Sequence, residues 1–240
     1  MAIYFSRGFV LMLLVASTVP TIYAQNTDTR DRNPYGTGIG GQVLLTNSGF
    51  GLGGYYQRAV SPSVSIMAEL SFGAGKDSRE VAFFNQFGQR DIPNKANYLH
   101  MLTFHAGVRK RLFESSIEEN FRPFFQFSFG PTLGWESPYF LDCNGDGIFN
   151  PRVDCDEDGT DTDERTFDVF SALPKGNARF GMGGNFAIGA FFGRSRAVSQ
   201  GIRFGYTFTY FTDGIQLLEQ QPAQRFFGTP SITIIFGKLF

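Results

Sequence analysis

The sequence predicts an all-β chain, an eight-stranded antiparallel up-and-down transmembrane β-barrel, with ten strands as the alternative count. Three observations point there. The first is the stretch NFRPFFQFSFGPTLGWE, Asn120 to Glu136, in which Phe121, Phe125, Phe127, Phe129, Leu133 and Trp135 share one parity. Arg122, Phe124, Gln126, Ser128, Gly130, Thr132, Gly134 and Glu136 share the other, mostly small or polar. A period of two is a strand with alternate side chains on opposite faces, and an aromatic face opposite a small or polar one suits a barrel that is apolar outside and polar inside. The second is that several segments repeat this pattern and their connections alternate between short and long, as in barrels with tight turns on one side of a membrane and loops on the other. The third is an export-type N-terminus. Arg7 precedes an apolar run, Phe9 to Ala16, too short to span a bilayer, and Ala24 offers a cleavage point.

Composition agrees. Of 240 residues, 29 are Phe and 29 are Gly. Mean hydropathy is only −0.12, which excludes a bundle of membrane helices but not alternating strands, whose hydropathy averages out. The formal net charge of −1 gives no footprint for nucleic acid. It conceals an asymmetry, since ten of the 22 acidic residues lie between Asp142 and Asp168.

Along the chain, residues 1–24 read as a signal peptide and 25–36 as a polar periplasmic tail, with the barrel over 37–240. Strand one is Thr37–Thr46, with Ile39, Val43 and Leu45 outward; Asn47-Ser48-Gly49 is a turn signal. Strand two, Phe50–Val60, sends Phe50, Leu52 and Tyr56 outward. Ser61-Pro62 turns the chain into strand three, Ser63–Gly75, where Ile66, Leu70 and Phe72 alternate with Met67, Glu69 and Ser71. A long loop, 76–96, carries Phe83, Phe84 and Phe87, and a hairpin within Arg79–Phe87 would raise the count to ten strands. Strand four is Asn97–Phe113, with His105, Arg109 and Arg111 inward. A charged turn, Glu114–Glu119, leads into strand five, the aromatic stretch above. The acidic loop 137–176 follows. Strand six is Asn177–Gly193, strand seven Gln200–Thr212, and strand eight Arg225–Phe240, with a loop at 213–224.

This ordering resembles the small eight-stranded outer-membrane barrels of the OmpA/OmpX type and the broad outer membrane beta-barrel domain family. The resemblance covers about Thr37 to Phe240 and includes the C-terminal signature of a terminal aromatic with apolar residues at alternate positions before it: Phe240, Phe236, Ile234 and Ile232, interrupted by Lys238. It implies the outer membrane of a Gram-negative bacterium, a monomer in contact with outer-membrane lipid, recognition by barrel assembly machinery, and periplasmic chain ends. It also implies a structural or surface-interaction role, with a narrow passive channel as the alternative. A barrel enzyme is not expected. The only histidines, His100 and His105, have no Ser–acid partners evident in the sequence. The surface partner is not legible.

Two constellations stand out. Inward parity collects Glu69, His105, Arg109, Arg111, Arg122, Gln126 and Arg203 in the lumen, with the arginines expected toward the periplasmic end and Glu69 nearer the middle. An acid among cations is expected to pair, because an unpaired buried charge is costly. The second is a twelve-residue repeat in the acidic loop: Asp142-Cys143-Asn144-Gly145-Asp146-Gly147 recurs as Asp154-Cys155-Asp156-Glu157-Asp158-Gly159, followed by Asp161 and Asp163. Oxygen side chains at this spacing suit Ca²⁺, which takes six to eight oxygen ligands. The pattern resembles the start of an EF-hand loop and the thrombospondin type 3 repeats. It departs from the EF-hand at position twelve, where Val153 and Arg165 stand in place of Glu. Cys143 and Cys155, at equivalent repeat positions in an exported loop, are expected to form a disulfide.

Overall fold

The computed structural model describes residues 36–81, 83–84, 90–113, 120–150, 155, 164–192 and 198–239. The expected signal peptide, Asp154, Asp156, Asp158, Asp161, Asp163 and Phe240 therefore lie outside the described residues. Eight strands follow one another up and down: β1 Gly38–Thr46, β2 Gly49–Ala59 and β3 Val64–Gly75, then β6 Asn97–Arg111, β7 Phe121–Pro138, β8 Asn177–Phe192, β9 Val198–Ile215 and β10 Gln224–Leu239. Each pairs antiparallel with its neighbours, and β1 also pairs with β10, from Gly38 opposite Leu239 to Thr46 opposite Ser231. The ring is closed. Two short strands, β4 Phe83–Phe84 and β5 Arg90–Asp91, form a hairpin of their own inside the first long loop. They stay out of the ring, so the barrel has eight strands and not ten.

The alternation carries through to burial. On β7, Gln126 is 0% exposed, while its neighbours Phe125 and Phe127 are 44% and 49% exposed. Outward Phe50, Phe72, Phe186, Ile188, Phe204, Ile234 and Phe236 are all exposed, and inward Gln42, Gln57, Glu69, Thr103, Arg109 and Arg203 are all buried. This is an apolar exterior around a polar interior. At the β1–β10 seam, close approach requires glycine: a Cβ on Gly40 would meet the Phe236 carbonyl oxygen and the ring of Tyr55, which lies over the seam.

Two loop boundaries differ from the sequence reading. β7 runs to Pro138 and β9 to Ile215, so the second and third long loops span 139–176 and 216–223 rather than 137–176 and 213–224. Ladder pairing with neighbouring strands carries these chains past the end of their alternating pattern. The acidic loop closes with a helical turn, α1 Val169–Ala172, continued as a 3₁₀ turn over Leu173–Lys175. Asp168 caps it by accepting from the Phe170 and Ser171 N–H groups.

Candidate functional site

From the end where β1 begins and β10 finishes upward, the barrel interior is a stack of layers. Lowest is an aromatic cage. The Phe124 and Phe191 rings lie 4.8 Å apart and pack with Tyr55 and Ile235. The Arg109 guanidinium sits 4.7 Å from the Phe124 ring centre, 5.1 Å from that of Phe191 and 5.6 Å from that of Tyr55. Cation–π attraction to three rings partly replaces the water this cation has lost. Arg111 and Arg122 are also buried.

Above the cage, a hydrogen-bonded chain crosses the lumen. Arg109 Nη1 donates to Gln57 Oε1 at 2.5 Å, and its Nε and Nη2 donate to Gln126 Oε1 at 3.2 and 2.8 Å. Gln126 Nε2 donates to Glu69 Oε2 at 2.9 Å. Arg203 Nη1 meets Glu69 Oε1 at 2.6 Å, and Nη2 donates to Gln42 Oε1 at 3.1 Å. The chain Gln57–Arg109–Gln126–Glu69–Arg203–Gln42 thus joins β2, β6, β7, β3, β9 and β1. Both Glu69 oxygens are engaged, which is what a buried carboxylate requires. The Arg203–Glu69 contact is the pairing of an acid among cations that the sequence leads one to expect.

His105 stands opposite Glu69 in the β3–β6 ladder and is 4% exposed. Ser71 and Thr103 hydroxyls meet at 2.6 Å one step higher. Higher still the interior turns apolar, with Leu99, Phe211, Ile215, Leu217 and Phe227 forming a buried cluster against which Met101 packs.

The three long loops are tied together over this apolar layer. The first and third exchange backbone bonds, Ala96 N–H to Leu217 O at 2.9 Å and Glu219 N–H to Asn94 O at 2.7 Å. The second joins them through Tyr139 N–H to Ala96 O at 2.8 Å and Phe149 N–H to Glu219 Oε1 at 3.0 Å. Glu136, 7% exposed, accepts from Gln216 N–H and from Arg179 Nε. Asp77 receives Arg79 Nε and Nη2 at 2.9 and 2.7 Å, and the same Nη2 donates to Pro222 O at 3.0 Å. Burial alone would raise the Asp77 carboxyl, but the hydrogen bonds and charge of Arg79 outweigh it and hold it below the ordinary carboxylate range.

In the acidic loop, Asp142 accepts from Gly145 and Gly147 N–H at 2.7 and 3.0 Å, Asn144 from Asp146 N–H at 3.0 Å, and Asp146 from Ile148 N–H at 2.8 Å. Gly145 and Gly147 have φ of 75° and 72°, which glycine adopts without strain. Cys143 and Cys155 form a disulfide with Cα atoms 5.2 Å apart. Buried Glu164 accepts from Cys143 N–H at 3.3 Å and Asn150 N–H at 2.7 Å, anchoring the loop from below. For calcium, Asp142, Asn144 and Asp146 are donors of the right chemical kind but fewer than six. No group of three or more His, Cys, Asp or Glu placed to hold a metal occurs among the described residues. The remaining candidates, from Asp154 to Asp163, are outside them.

Sequence reasoning missed the buried loop acids Asp77, Glu164 and Glu219, because nothing local distinguishes a buried loop acid from a solvated one; Glu136 is on the inward parity, but its partners were not readable. It also missed the apolar layer, although Leu99 and Phe211 are large apolar residues on the inward parity, a readable exception to the pattern.

The fold and interior together define a closed, eight-stranded, antiparallel up-and-down β-barrel with its apolar face outside and a packed polar lumen. Among solved structures, the chain is similar to Ail, the attachment invasion locus protein of Yersinia pestis, at 8% identity and a TM-score of 0.36, covering 85% of this chain and 95% of that one. It is also similar to CarO2 of Acinetobacter baumannii, at 9% identity and a TM-score of 0.31, covering 83% of this chain and 98% of that one. At those scores neither likeness adds to what the barrel's own geometry shows. No family model and no curated protein matches the chain.

Proposed function

We propose that this protein is a monomeric, integral outer-membrane β-barrel of a Gram-negative bacterium, non-enzymatic, whose work is done by the tied loop surface it holds outside the cell. The observation that carries the reading is the combination of three cross-bonded loops above and a six-strand hydrogen-bonded chain below. That is the construction of a rigid stand for a surface rather than of a conduit. The exposed apolar belt supports the membrane placement, because soluble monomers rarely expose patches beyond a few hundred Å², and lipid contact removes that cost. A narrow anion-preferring passage is the second reading. It draws on Arg109, Arg111 and Arg122, all buried in the lumen.

An epitope inserted within residues 156–163 tests the orientation. Antibody should label intact cells carrying that insertion and should label an insertion in residues 114–119 only after the outer membrane is opened. The reverse pattern would invert the barrel.

Calcium belongs to the same reading. The acids of the 142–168 segment repel one another unless a cation intervenes, and the Asp142, Asn144, Asp146 spacing offers oxygens to a hard one. Titration calorimetry on the refolded protein should give a dissociation constant on the order of 10⁻⁴ to 10⁻³ M, lost in Asp146→Ala plus Asp158→Ala, while the barrel persists without the metal. No heat at several millimolar calcium would leave only a disulfide-closed acidic loop.

A further inference from the structure

The barrel wall is uneven, and its lowest point coincides with a cavity. β1 has nine residues and β2 eleven, whereas β7 and β9 have eighteen each. The last β1 pair on this side is Thr46 with Ser231, so β10 residues 224–230 rise above β1 without a β1 partner. On the other flank β3 continues through Ala74 and Gly75 beyond its last β2 pair, Gly73 with Gly51. The result is a notch whose floor is the Asn47–Ser48 turn.

The notch lies at the level of lipid. Nine residues at about 3.3 Å each, tilted by roughly 40°, rise about 23 Å, close to the roughly 25 Å of an outer-membrane apolar band. The flanking side chains agree: Phe50 is 79% exposed and Phe72 51%.

Inside the notch is a cavity of about 60 Å³, room for several water-sized molecules. Its upper walls include Leu44, Phe50, Phe72 and Met101, and its lower lining includes His105 and Asn185. Both are at least 95% buried, and His105 Nε2 and Asn185 Oδ1 have no hydrogen-bond partner among the described residues. The charged groups beside them, Glu69 and Arg203, neutralise each other at 2.6 Å. The cavity is therefore apolar at its mouth and has unmet hydrogen-bonding capacity at its base, without a free charge.

We propose that this notch is a lateral binding site for a small uncharged amphiphile arriving from the outer leaflet, its hydroxyl- or amide-type head at His105 and Asn185 and its apolar body between Phe50 and Phe72. A head that donates to Asn185 Oδ1 satisfies an acceptor that is otherwise orphaned, and orphaned buried polar atoms are costly. A carboxylate or ammonium would enter uncompensated, because the nearby charges are already paired. This inference rests on the membrane placement argued above.

The probe is 1-pentanol, with pentane and pentanoate as controls, added to the refolded protein in lipid nanodiscs. The chain has two histidines, so ¹⁵N-imidazole labelling gives two ring systems, assigned with a His100→Gln variant. 1-Pentanol should shift the His105 ring saturably, with at least tenfold weaker responses to pentane and pentanoate. Gly73→Leu should abolish the response: a Cβ there meets only Gly51 Cα at 3.6 Å, so the larger side chain fills the cavity and leaves the fold intact. Heat-modifiable migration checks folding, and nanodisc insertion is scored separately. Failure to insert would refute the membrane placement. Insertion without a saturable His105 shift would overturn the amphiphile site and leave a water-filled vestibule. An equal shift in folded Gly73→Leu would mean unspecific partitioning and would overturn it too.

Discussion

Arg203→Met should destabilise the refolded barrel by about 3–5 kcal/mol, the cost of breaking a buried ion pair from one side. Arg203 and Glu69 side chains are 3% and 6% exposed and meet at 2.6 Å. With the guanidinium gone, Glu69 keeps only the Gln126 amide and becomes an uncompensated buried carboxylate. Gln42 loses its donor as well. Replacing both partners, Glu69→Met with Arg203→Met, should recover much of the loss, since apolar pairs of similar volume often match buried ion pairs. Urea unfolding in lipid vesicles, run as a double-mutant cycle, separates the pair's coupling from the single costs. A single-variant loss below about 1 kcal/mol, the range of exposed pairs, would mean the lumen is wet enough to screen the charge.

Phe124→Ala should cost a similar amount, about 3–5 kcal/mol, the usual range for removing a buried aromatic ring. Phe124 is 1% exposed, and its ring holds both Phe191 and the Arg109 guanidinium. Removing it opens a void beside a cation that depends on ring faces for part of its solvation. Phe125→Ala, one residue on, is the control. That ring is 44% exposed on the outer face, where lipid can fill the space. Equal costs at the two positions would contradict the assignment of inner and outer faces.

Much of the barrel is legible in the sequence because a period of two is local information. Phe125, Gln126 and Phe127 declare their faces without reference to any other strand, and all eight ring strands can be located that way. What meets what across the lumen is not local. That Arg203 reaches Glu69, and that Gln42 and Gln57 end the hydrogen-bonded chain, depends on the stagger between strands far apart in sequence. The α1 turn had only a weak signal, Asp168 as an N-cap residue type, without a Glu or Gln three residues later to strengthen it. The sequence admits a hairpin within Arg79–Phe87 in the first long loop, but with no alternating pattern its strands, Phe83–Phe84 and Arg90–Asp91, could not be bounded. The loop ties were least legible, because Glu136 and Glu219 meet partners far off in sequence, the Gln216 and Phe149 N–H groups.

Conductance in planar bilayers tests most directly whether the barrel is a stand for its loops or a passage. The refolded protein, inserted and heat-modifiable, should give no single-channel steps under an applied voltage, because the Gln57-to-Gln42 chain and the Leu99–Phe211–Leu217 layer both cross the lumen. Reproducible steps with anion preference, altered by Arg109→Gln, would contradict this and establish a channel.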